Sequence, residues 1–574
     1  AHTAHSKSEL SKHQGTLSVG CSERTMDERT SRAVDNEREE IEQYMAVHGL
    51  EPHLNTVVNE IVKERPEDPF AELVRLLVTK SARAEAIQGV TAREALSAGG
   101  FPALEVTVTT IRGDFVASCA IGPFDGDESR FGGRGLIKSV DSVMNLIADK
   151  VVGRELNQQQ IDAFLSAEPN VPENVVLAVS MAVARAAAKH KGLALHMYLA
   201  QLANVPDPCV PTPVFSVING GSYGESPLYF SEVTAMLVEA SSFGEAMEHG
   251  CKLHHGLRAS LKARGHKQVN IGLNGGHVPA IEEPADAMQV VVDCARGLGL
   301  GSSLRLGACL SADKMVHKPT DEEMQNAPPD DADGVQYDTS LFARSHGFGT
   351  VPIGGLKSGD ELIEVLVEWL LKFPLSTLDD TFDSSDSGSF MRLKERLDTE
   401  MARYREREAA AKKKSKGKGK GAAHEEEDDG DPIIKFEEVG NDPACLLQIV
   451  GNNICASVED VERFNEEQTV NTLVLTMRKG RTVSGCIDLC AKAQSSGWAV
   501  CCATENNLSE AAETSDDFIA HLAVGVKAGQ FRGGGLMNSE HMCKYNALLA
   551  IANEDAKGST VPFAGAKFRN PGAK

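Results

Sequence analysis

The stretch VPTPVFSVINGGSYGESPLYFSE, residues 210–232, joins an apolar run to a turn built on Gly220 and Gly221. The run PVFSVI has the length and the branched side chains of a buried strand. The paired glycines allow the chain to turn sharply where that strand ends. We therefore predict a buried strand that ends in a glycine loop.

Downstream of Pro211, short apolar runs alternate with helical patterns. The runs predicted as strands are PVFSVI, VNIGL, LRLGACL, FPLSTL, LLQIVG, TLVLTM, GWAVCC and AVGVKAG. Repeated alternation of strand and helix is typical of a parallel sheet, and about eight strands fit a closed α/β barrel. Residues at the C-terminal ends of these strands would then form the functional site. Upstream, ALEVTVTTI (103–111) predicts a strand and the alanine-rich segment 177–203 predicts a long helix.

The composition argues against several classes of partner. The chain has 574 residues, with 58 Lys and Arg against 82 Asp and Glu and a formal charge of −24. This charge repels phosphate backbones and anionic lipid, so we expect neither nucleic acid nor a membrane as a partner. No apolar run approaches the roughly 20 residues that cross a bilayer, and the start AHTAHSKSEL lacks a signal core. We expect a cytoplasmic protein.

The cysteines do not form a disulfide or zinc pattern, because they are scattered and include no CxxC pair. Cys486 and Cys490 have helical spacing, and Cys501 and Cys502 lie in an apolar run. We predict that all four are buried, reduced thiols.

Two segments lack apolar periodicity. Residues 1–35 are polar and are predicted to be a flexible tail. Residues 409–432 read AAAKKKSKGKGKGAAHEEEDDGDP, a basic run followed by an acidic run, and are predicted to be a solvated insertion. A basic contact patch for tubulin or nucleic acid is the alternative, although the adjacent acidic residues can neutralise the lysines.

Residues 36–85 are predicted to form a helical hairpin. Asp68 and Pro69 provide the N-cap and the first-turn proline of the second helix. Two short helices have too little interior to bury two apolar stripes alone, so we expect a second copy to cover them. The stripe residues are Leu50, Leu54, Val57, Val58, Ile61 and Val62 on the first helix and Phe70, Leu73, Leu76 and Leu77 on the second.

With its turn KERPEDPFAEL (63–73), this hairpin resembles the RIIa/Dpy-30 type of dimerisation-and-docking module. The resemblance implies a four-helix bundle made by two hairpins, whose groove binds an amphipathic helix of an anchoring protein. The alternative is a hairpin that packs on the following domain.

The motifs VINGGS (217–222), GLNGGHVPAI (272–281), GWAVCC (497–502) and VGVKAGQFRGGG (524–535) are similar to those of the enolase family. The likeness runs from about residue 92 to the C-terminus, interrupted by the insertion. It implies an α+β N-terminal domain at 86–205 and a modified (β/α)8 barrel at 206–574. It also implies the dehydration of 2-phosphoglycerate to phosphoenolpyruvate with two magnesium ions.

The resemblance places the catalytic groups at positions where this chain has other residues. The glycine loop, where the family has Asp-Glu, has Leu273 and Asn274, and an amide is not a usable acid. The family's lysine base corresponds to Thr476. Glu232 is the residue that matches the family site, and we expect it to be a vestigial catalytic or substrate-binding group.

The family's magnesium ligands correspond to Cys309, Asp379 and Asn452. One carboxylate with an amide and a soft thiol should bind Mg²⁺ weakly or not at all. A small shift in the alignment would bring in Asp313 or Asp380 instead.

The positions that contact substrate in the family are also changed. Arg532 keeps the charge of a lysine but cannot give up a proton. The remaining positions correspond to Thr504, Glu505, Asn506 and Tyr223, and Phe124 lies in the segment that forms the family's mobile loop. Glu505 would repel a substrate phosphate.

We therefore expect an enolase-fold protein with little or no enolase activity that serves as a structural or anchoring component of a cilium or sperm flagellum. The combination of hairpin and barrel is similar to a divergent, sperm-flagellar branch of the animal enolases. An active phosphopyruvate hydratase serving local flagellar glycolysis is the alternative, and a barrel that binds an anionic metabolite through Arg532 is a third hypothesis. The family pairs through its barrel and N-terminal domains, which implies a homodimer or a heterodimer with another enolase subunit.

Overall fold

The computed structural model describes residues 38–78, 86–266, 269–318, 335–345, 355–417, 447–505, 513–553 and 561–572. The chain divides into two compact units, Ala1–Ala84 and Glu85–Lys574. The predicted tail at 1–35 and residues 418–432 of the predicted insertion lie outside the described residues.

The first unit is helical. Residues 38–47 form one helix, followed by α1 at Leu50–Glu64 and α2 at Pro69–Val78. The Asp68 carboxylate accepts hydrogen bonds from the backbone N–H groups of Phe70 and Ala71, each at 3.0 Å. These bonds satisfy donors that the first turn of α2 would otherwise leave free. The two predicted helices and the predicted cap are therefore present.

The second unit begins with a three-stranded antiparallel sheet. Its strands are β1 at Gly89–Leu96, β2 at Pro102–Thr110 and β3 at Gly113–Cys119, in that order. The alanine-rich helix Glu173–His190 packs against β2 and β3. Alanines along its length allow close approach to the sheet, and most of the helix is buried. The other helices here are Ile137–Ser142, Ala148–Val151, Gln158–Ala167 and Leu195–Leu202.

A closed barrel of eight strands follows. These strands are β4 at Thr212–Asn219, β5 at Glu232–Leu237, β8 at Leu304–Cys309, β11 at Leu375–Asp379, β12 at Gln448–Val450, β13 at Thr472–Leu475, β14 at Ala499–Ala503 and β15 at Gln530–Gly534. They pair in this order, and β15 pairs with β4 to close the barrel. Strand β5 is antiparallel to both neighbours, while the other barrel pairings are parallel.

Four short strands lie outside the barrel ring. They are β6 at Asn270–Ile271 and β7 at His277–Val278, which form a hairpin beside β4, and β9 at Gln336–Asp338 and β10 at Leu356–Ser358, which pair with each other. The helices of this region are Gly221–Gly224, Phe243–Ala263, Pro284–Gly297, Leu341–Ser345, Gly359–Lys372, Ser387–Gly417, Val458–Glu467, Met477–Gly480, Val483–Ser495, Phe518–Gly525 and Ser539–Asn553.

The closed α/β barrel is confirmed, but three strand predictions need correction. Strand β5, with the sequence EVTAML, was not predicted, and it makes the sheet mixed rather than parallel. The link from β4 to β5 contains only the one-turn helix Gly221–Gly224, which is too short for a parallel crossover. The run VNIGL supplies only β6, outside the ring, and the start of AVGVKAG ends the helix Phe518–Gly525.

Two other predictions concern the interior and the insertion. Cys486, Cys490, Cys501 and Cys502 are buried free thiols, as predicted. Residues 409–417, the start of the predicted insertion, continue the helix Ser387–Gly417. Within the described ranges, no helix has both the length and the apolar character needed to span a membrane.

Candidate active site at the barrel mouth

Strand register brings three of the predicted site residues side by side. Glu232 pairs with Cys309 across β5 and β8, and Cys309 pairs with Asp379 across β8 and β11. Because β5 is antiparallel, its first residue lies at the same end of the barrel as the last residues of β8 and β11. All three side chains are buried. The mixed sheet therefore places Glu232 at the barrel mouth.

The glycine loop keeps a fixed shape around Asn274. The Asn219 side-chain oxygen accepts bonds from the backbone N–H groups of Asn274 at 3.2 Å and Gly276 at 3.1 Å. Gly275 has a φ of +77°, which favours glycine, and the backbone of Gly535 lies directly against it. The Asn274 side-chain N–H donates to Glu232 Oε1 at 3.3 Å. The loop thus directs an amide, which cannot act as a general acid, at Glu232.

An ion pair crosses the barrel mouth between β15 and β11. The Arg532 guanidinium donates to Asp379 Oδ2, with the two side chains 12% and 3% exposed. Arginine stays charged under all working conditions, so Asp379 has a permanent counter-charge. Asp379 Oδ1 and Arg532 Nε are buried without a hydrogen-bond partner in the protein. Burial raises the pKa of Glu232, and the positive charge of Arg532 opposes that rise.

The ligand atoms of Cys309, Asp379 and Asp380 lie within 4.8 Å of one another and could in geometry surround a metal ion. Asp380 follows β11 and is held by a bond from the backbone N–H of Asn453 to its Oδ1 at 3.0 Å. Burial, reinforced by neighbouring Asp379, raises the pKa of Asp380 to about 8. Burial and the same carboxylate also raise the pKa of Cys309 well above its ordinary value. In the absence of a metal ion, both shifts favour the protonated forms.

This donor set does not fit Mg²⁺, which prefers anionic oxygen ligands. It offers a soft thiol from Cys309, the carboxyl group of Asp380, and one carboxylate already paired with Arg532. A cation about 5 Å from the guanidinium would be repelled by roughly 3 kcal/mol per unit of its charge at an effective dielectric constant of about 20. No catalytic step through magnesium can be derived from these residues.

Asn452, the third predicted metal position, contacts a lysine that sequence reasoning missed. Lys479 Nζ donates to the backbone oxygens of Asn452 and Val474, both at 2.8 Å, and to Asn452 Oδ1 at 2.9 Å. Burial lowers the pKa of Lys479, whereas these three bonds use all the N–H groups of the ammonium and favour its charged form. Thr476 begins the helix Met477–Gly480, is buried, and makes no capping bond with its side chain.

The predicted substrate positions carry a mixed set of groups. The Thr504 backbone N–H donates to the Arg532 carbonyl oxygen at 3.1 Å. Glu505 accepts a bond from the backbone N–H of Arg478 at 3.4 Å. Burial raises the pKa of Tyr223 well above its ordinary value, and Asn506 lies outside the described residues. Apart from Arg532, none of these predicted positions carries a cationic side chain.

The segment around Phe124 is tied to neighbouring structure. The Asp125 carboxylate accepts bonds from the backbone N–H groups of Ile137 at 2.9 Å and Lys138 at 3.1 Å. The Arg134 guanidinium lies 5.7 Å from the centre of the Phe124 ring. An aromatic ring therefore takes the place where the family resemblance implies a metal-binding serine.

Comparisons with known proteins agree with this architecture. The family model described as "Enolase, C-terminal TIM barrel domain" matches residues 207–339 and 425–572, and "Enolase, N-terminal domain" matches 87–199. The chain belongs to the enolase family. Similar relatives include the enolase of Eimeria tenella, 29% identical over 516 residues that cover 85% of this chain and 99% of that protein. Enolase B of Dictyostelium discoideum is 28% identical over 506 residues, covering 84% of this chain and 99% of the relative. The enolase of Mastigamoeba balamuthi is 28% identical over 487 residues, covering 82% and 95%.

Within this enolase-family chain, the sequence pattern identifies two groups at the mouth only poorly. Asp380 is no more than an alternative ligand by sequence, although the adjacent acids in STLDDTF are a visible signal. Lys479 lies three residues beyond the position of the family's lysine, in TMRKGR, where a search for basic residues just past the strand end would have found it. The roles assigned to Glu232, Asn274, Thr476 and Asn452 remain predictions.

The hairpin is a second candidate site. Its predicted stripe is divided between two faces: Val57, Ile61 and Leu76 are buried, with Leu73 and Leu77 packed against them. The other predicted residues remain exposed: Leu50 37%, Leu54 42%, Val58 46%, Val62 66% and Phe70 77%. An exposed apolar face of this kind is typical of a surface that contacts another protein.

Proposed function

We propose that this enolase-family protein has little or no phosphopyruvate hydratase activity. The observation that carries the proposal is the pair of replacements at the acid and base positions, Asn274 and Thr476. Loss of a positioned general base alone typically costs about 10² to 10⁴ in rate. Loss of metal stabilisation removes several kcal/mol more, although the two effects do not simply add.

A coupled assay tests this proposal directly. The purified full chain is supplied with 2-phosphoglycerate and millimolar Mg²⁺ beside a conventional enolase. We expect turnover lower by at least about 10⁴. Measurable turnover that is abolished by Glu232→Gln would contradict the proposal, because it would show chemistry at this barrel mouth.

We further propose that the chain is an anchoring component of a cilium or sperm flagellum. The exposed apolar face of α1 and α2 supports this idea, as does the hairpin's resemblance to RIIa/Dpy-30 modules. Two copies of the chain, or one copy and another enolase subunit, would pair, and the hairpins would bind an amphipathic helix of a scaffold protein.

The corresponding experiment removes residues 36–85 from the tagged protein and follows its assembly state and location in ciliated cells. We expect loss of the hairpin-dependent association and of axonemal localisation. Removal of residues 1–35 alone is the control and should preserve both. Unchanged assembly and localisation after removal of the hairpin would sink the anchoring proposal.

The second candidate is an active phosphopyruvate hydratase that serves local glycolysis. The similarity of the chain to enolases of other organisms, at 28–29% identity, favours it. The same coupled assay separates the two functions, since only this candidate predicts turnover of a conventional size.

A further inference from the structure

Arg532 lies at a position where it affects metal binding at the barrel mouth. Its guanidinium extends from β15 to Asp379 on β11, inside the ring of strands that also carries Glu232 and Cys309. Both members of the ion pair are largely removed from solvent. A buried carboxylate needs a partner of opposite charge, and in this chain the protein provides that partner itself.

We propose that Arg532 replaces a divalent cation as the permanent counter-charge of the barrel mouth, so that the folded chain has no functional metal site there. The proposal deepens the first part of the proposed function, the loss of turnover, and is independent of the anchoring role. It differs from simple loss of ligands, because it identifies the direct pairing of Arg532 with Asp379 as the contact that an entering ion would have to displace.

Charge balance around Arg532 supports the replacement. Asp379 makes the direct contact, and Glu232 lies close enough to act electrostatically on the guanidinium. Cys309 lies between these two acids in strand register, and Asp380 follows Asp379 at the end of β11. The fixed cation of Arg532 therefore contacts Asp379 directly and faces Glu232 at longer range. A divalent ion would have to enter beside that cation and compete with it for Asp379.

The proposal predicts that removing the guanidinium should create a response to metal. In Arg532→Gln, Asp379 loses its counter-ion and both of its oxygens become free to bind a cation. Replacing Cys309 as well, in the double variant Cys309→Asp/Arg532→Gln, adds an oxygen ligand between Glu232 and Asp379. Affinity for divalent cations should therefore increase from wild type to the single variant and again to the double variant.

The experiment measures Mn²⁺ binding to the full chain by calorimetry and by electron paramagnetic resonance, without any substrate. Thermal unfolding with Mn²⁺, Mg²⁺ or EDTA provides a second readout. We expect no saturable site and no EDTA effect in the wild type. We expect the double variant to bind Mn²⁺ at least about tenfold more tightly than Arg532→Gln does. Metal should also raise the unfolding temperature of the double variant. Arg93→Gln, which removes an exposed arginine paired with Glu105, is the charge-matched control and should behave like the wild type.

The proposal is overturned if the wild-type protein binds one Mn²⁺ per barrel and Asp379→Asn abolishes this binding. This test does not require the Arg532 variants to fold. Folded Arg532→Gln and double variants that remain unresponsive to metal would overturn it too. These results are independent of the enolase assay, which can fail to detect turnover for other reasons. They are also independent of the hairpin, so failure here and failure of the proposed function are distinguishable.

Discussion

The barrel mouth and the hairpin differ in how far their side chains are paired or packed within the protein. At the mouth, Arg532 pairs with Asp379, and Lys479 donates all three of its N–H groups to protein oxygens. The hairpin instead exposes large apolar residues, including Val62 and Phe70. The mouth pairs its arginine and its lysine with oxygens of the protein, while the hairpin leaves large apolar side chains exposed.

The glycine loop shows that a backbone shape can be kept where the side chain that it carries differs from that of the family. The glycine loop retains its close contact between Gly275 and Gly535 even though Asn274 offers an amide. Backbone geometry depends on close packing and hydrogen bonds, whereas turnover depends on a few ionisable groups. Substitutions in the two regions should therefore differ both in the property that they change and in the size of that change.

The largest effect is expected from Val57→Asp on the inner face of α1. Val57 is fully buried against α2, so an unpaired charge there should cost at least about 3 kcal/mol and unfold the hairpin. Circular dichroism and limited proteolysis would detect the loss. Asn59→Asp adds the same charge at an exposed position of α1 and is the control. A protease-resistant hairpin in Val57→Asp would mean that the inner face is assigned incorrectly.

A smaller loss is expected from Lys479→Met at the barrel mouth. Methionine leaves the oxygens of Asn452 and Val474 without their charged donor, which should cost about 2 to 3 kcal/mol. Chemical denaturation measures this as a lower free energy of unfolding. Lys492→Met, which removes a surface partner of Glu462, should cost under about 1 kcal/mol. Equal losses in the two variants would show that Lys479 has no special role in the mouth.

Asp380→Asn should change how stability depends on pH. The folded-state pKa of Asp380, about 8, lies above its ordinary value of 3.8, so the folded state binds this proton more tightly than the unfolded state. The wild type should therefore lose stability as pH rises from about 4 to about 8, by at most roughly 1.4 kcal/mol per pH unit. Asparagine cannot ionise and also tolerates the left-handed backbone at this position, where φ is +45°.

We expect Asp380→Asn to be more stable than the wild type by about 1 to 2 kcal/mol at pH 8 and to show a flatter pH profile. Thermal unfolding between pH 4 and pH 9 checks both expectations. Asp398→Asn, at an exposed helical position paired with Lys394, is the control and should leave the profile unchanged. A variant profile parallel to that of the wild type would show that Asp380 ionises normally.

Sequence patterns predicted the barrel well where strands and helices alternate, and poorly where two strands follow each other directly. The segment EVTAML has only a one-turn helix before it, which does not mark it as a new strand, so its antiparallel direction appears only in the pairing. Loop positions such as Asn274 could be read from glycine spacing, because those glycines are required by local geometry. Local sequence constrains backbone shape far more directly than it constrains distant contacts.

Contacts at the mouth could not be predicted in the same way. The pairing of Arg532 with Asp379 joins residues 153 positions apart, and the reach of Lys479 back to Asn452 depends on the turn after β13. The division of the hairpin stripe into buried and exposed faces likewise depends on how α1 meets α2. Periodicity identifies the apolar residues, but only packing decides which of them remain exposed.

The smallest effect on folding, but a clear effect on association, is expected from Val62→Ser with Phe70→Ser on the outer face of the hairpin. Both residues are mostly exposed, so each change should alter the free energy of unfolding by under about 0.5 kcal/mol. If a second hairpin covers them, losing that apolar contact should weaken the association at least about tenfold. Sedimentation analysis over a range of concentrations measures this change, with Asn59→Ser as the matched exposed control on α1. An unchanged dissociation constant would mean that the outer face is solvent-exposed in the assembled protein, and the contrast between the two regions would then rest on the barrel mouth alone.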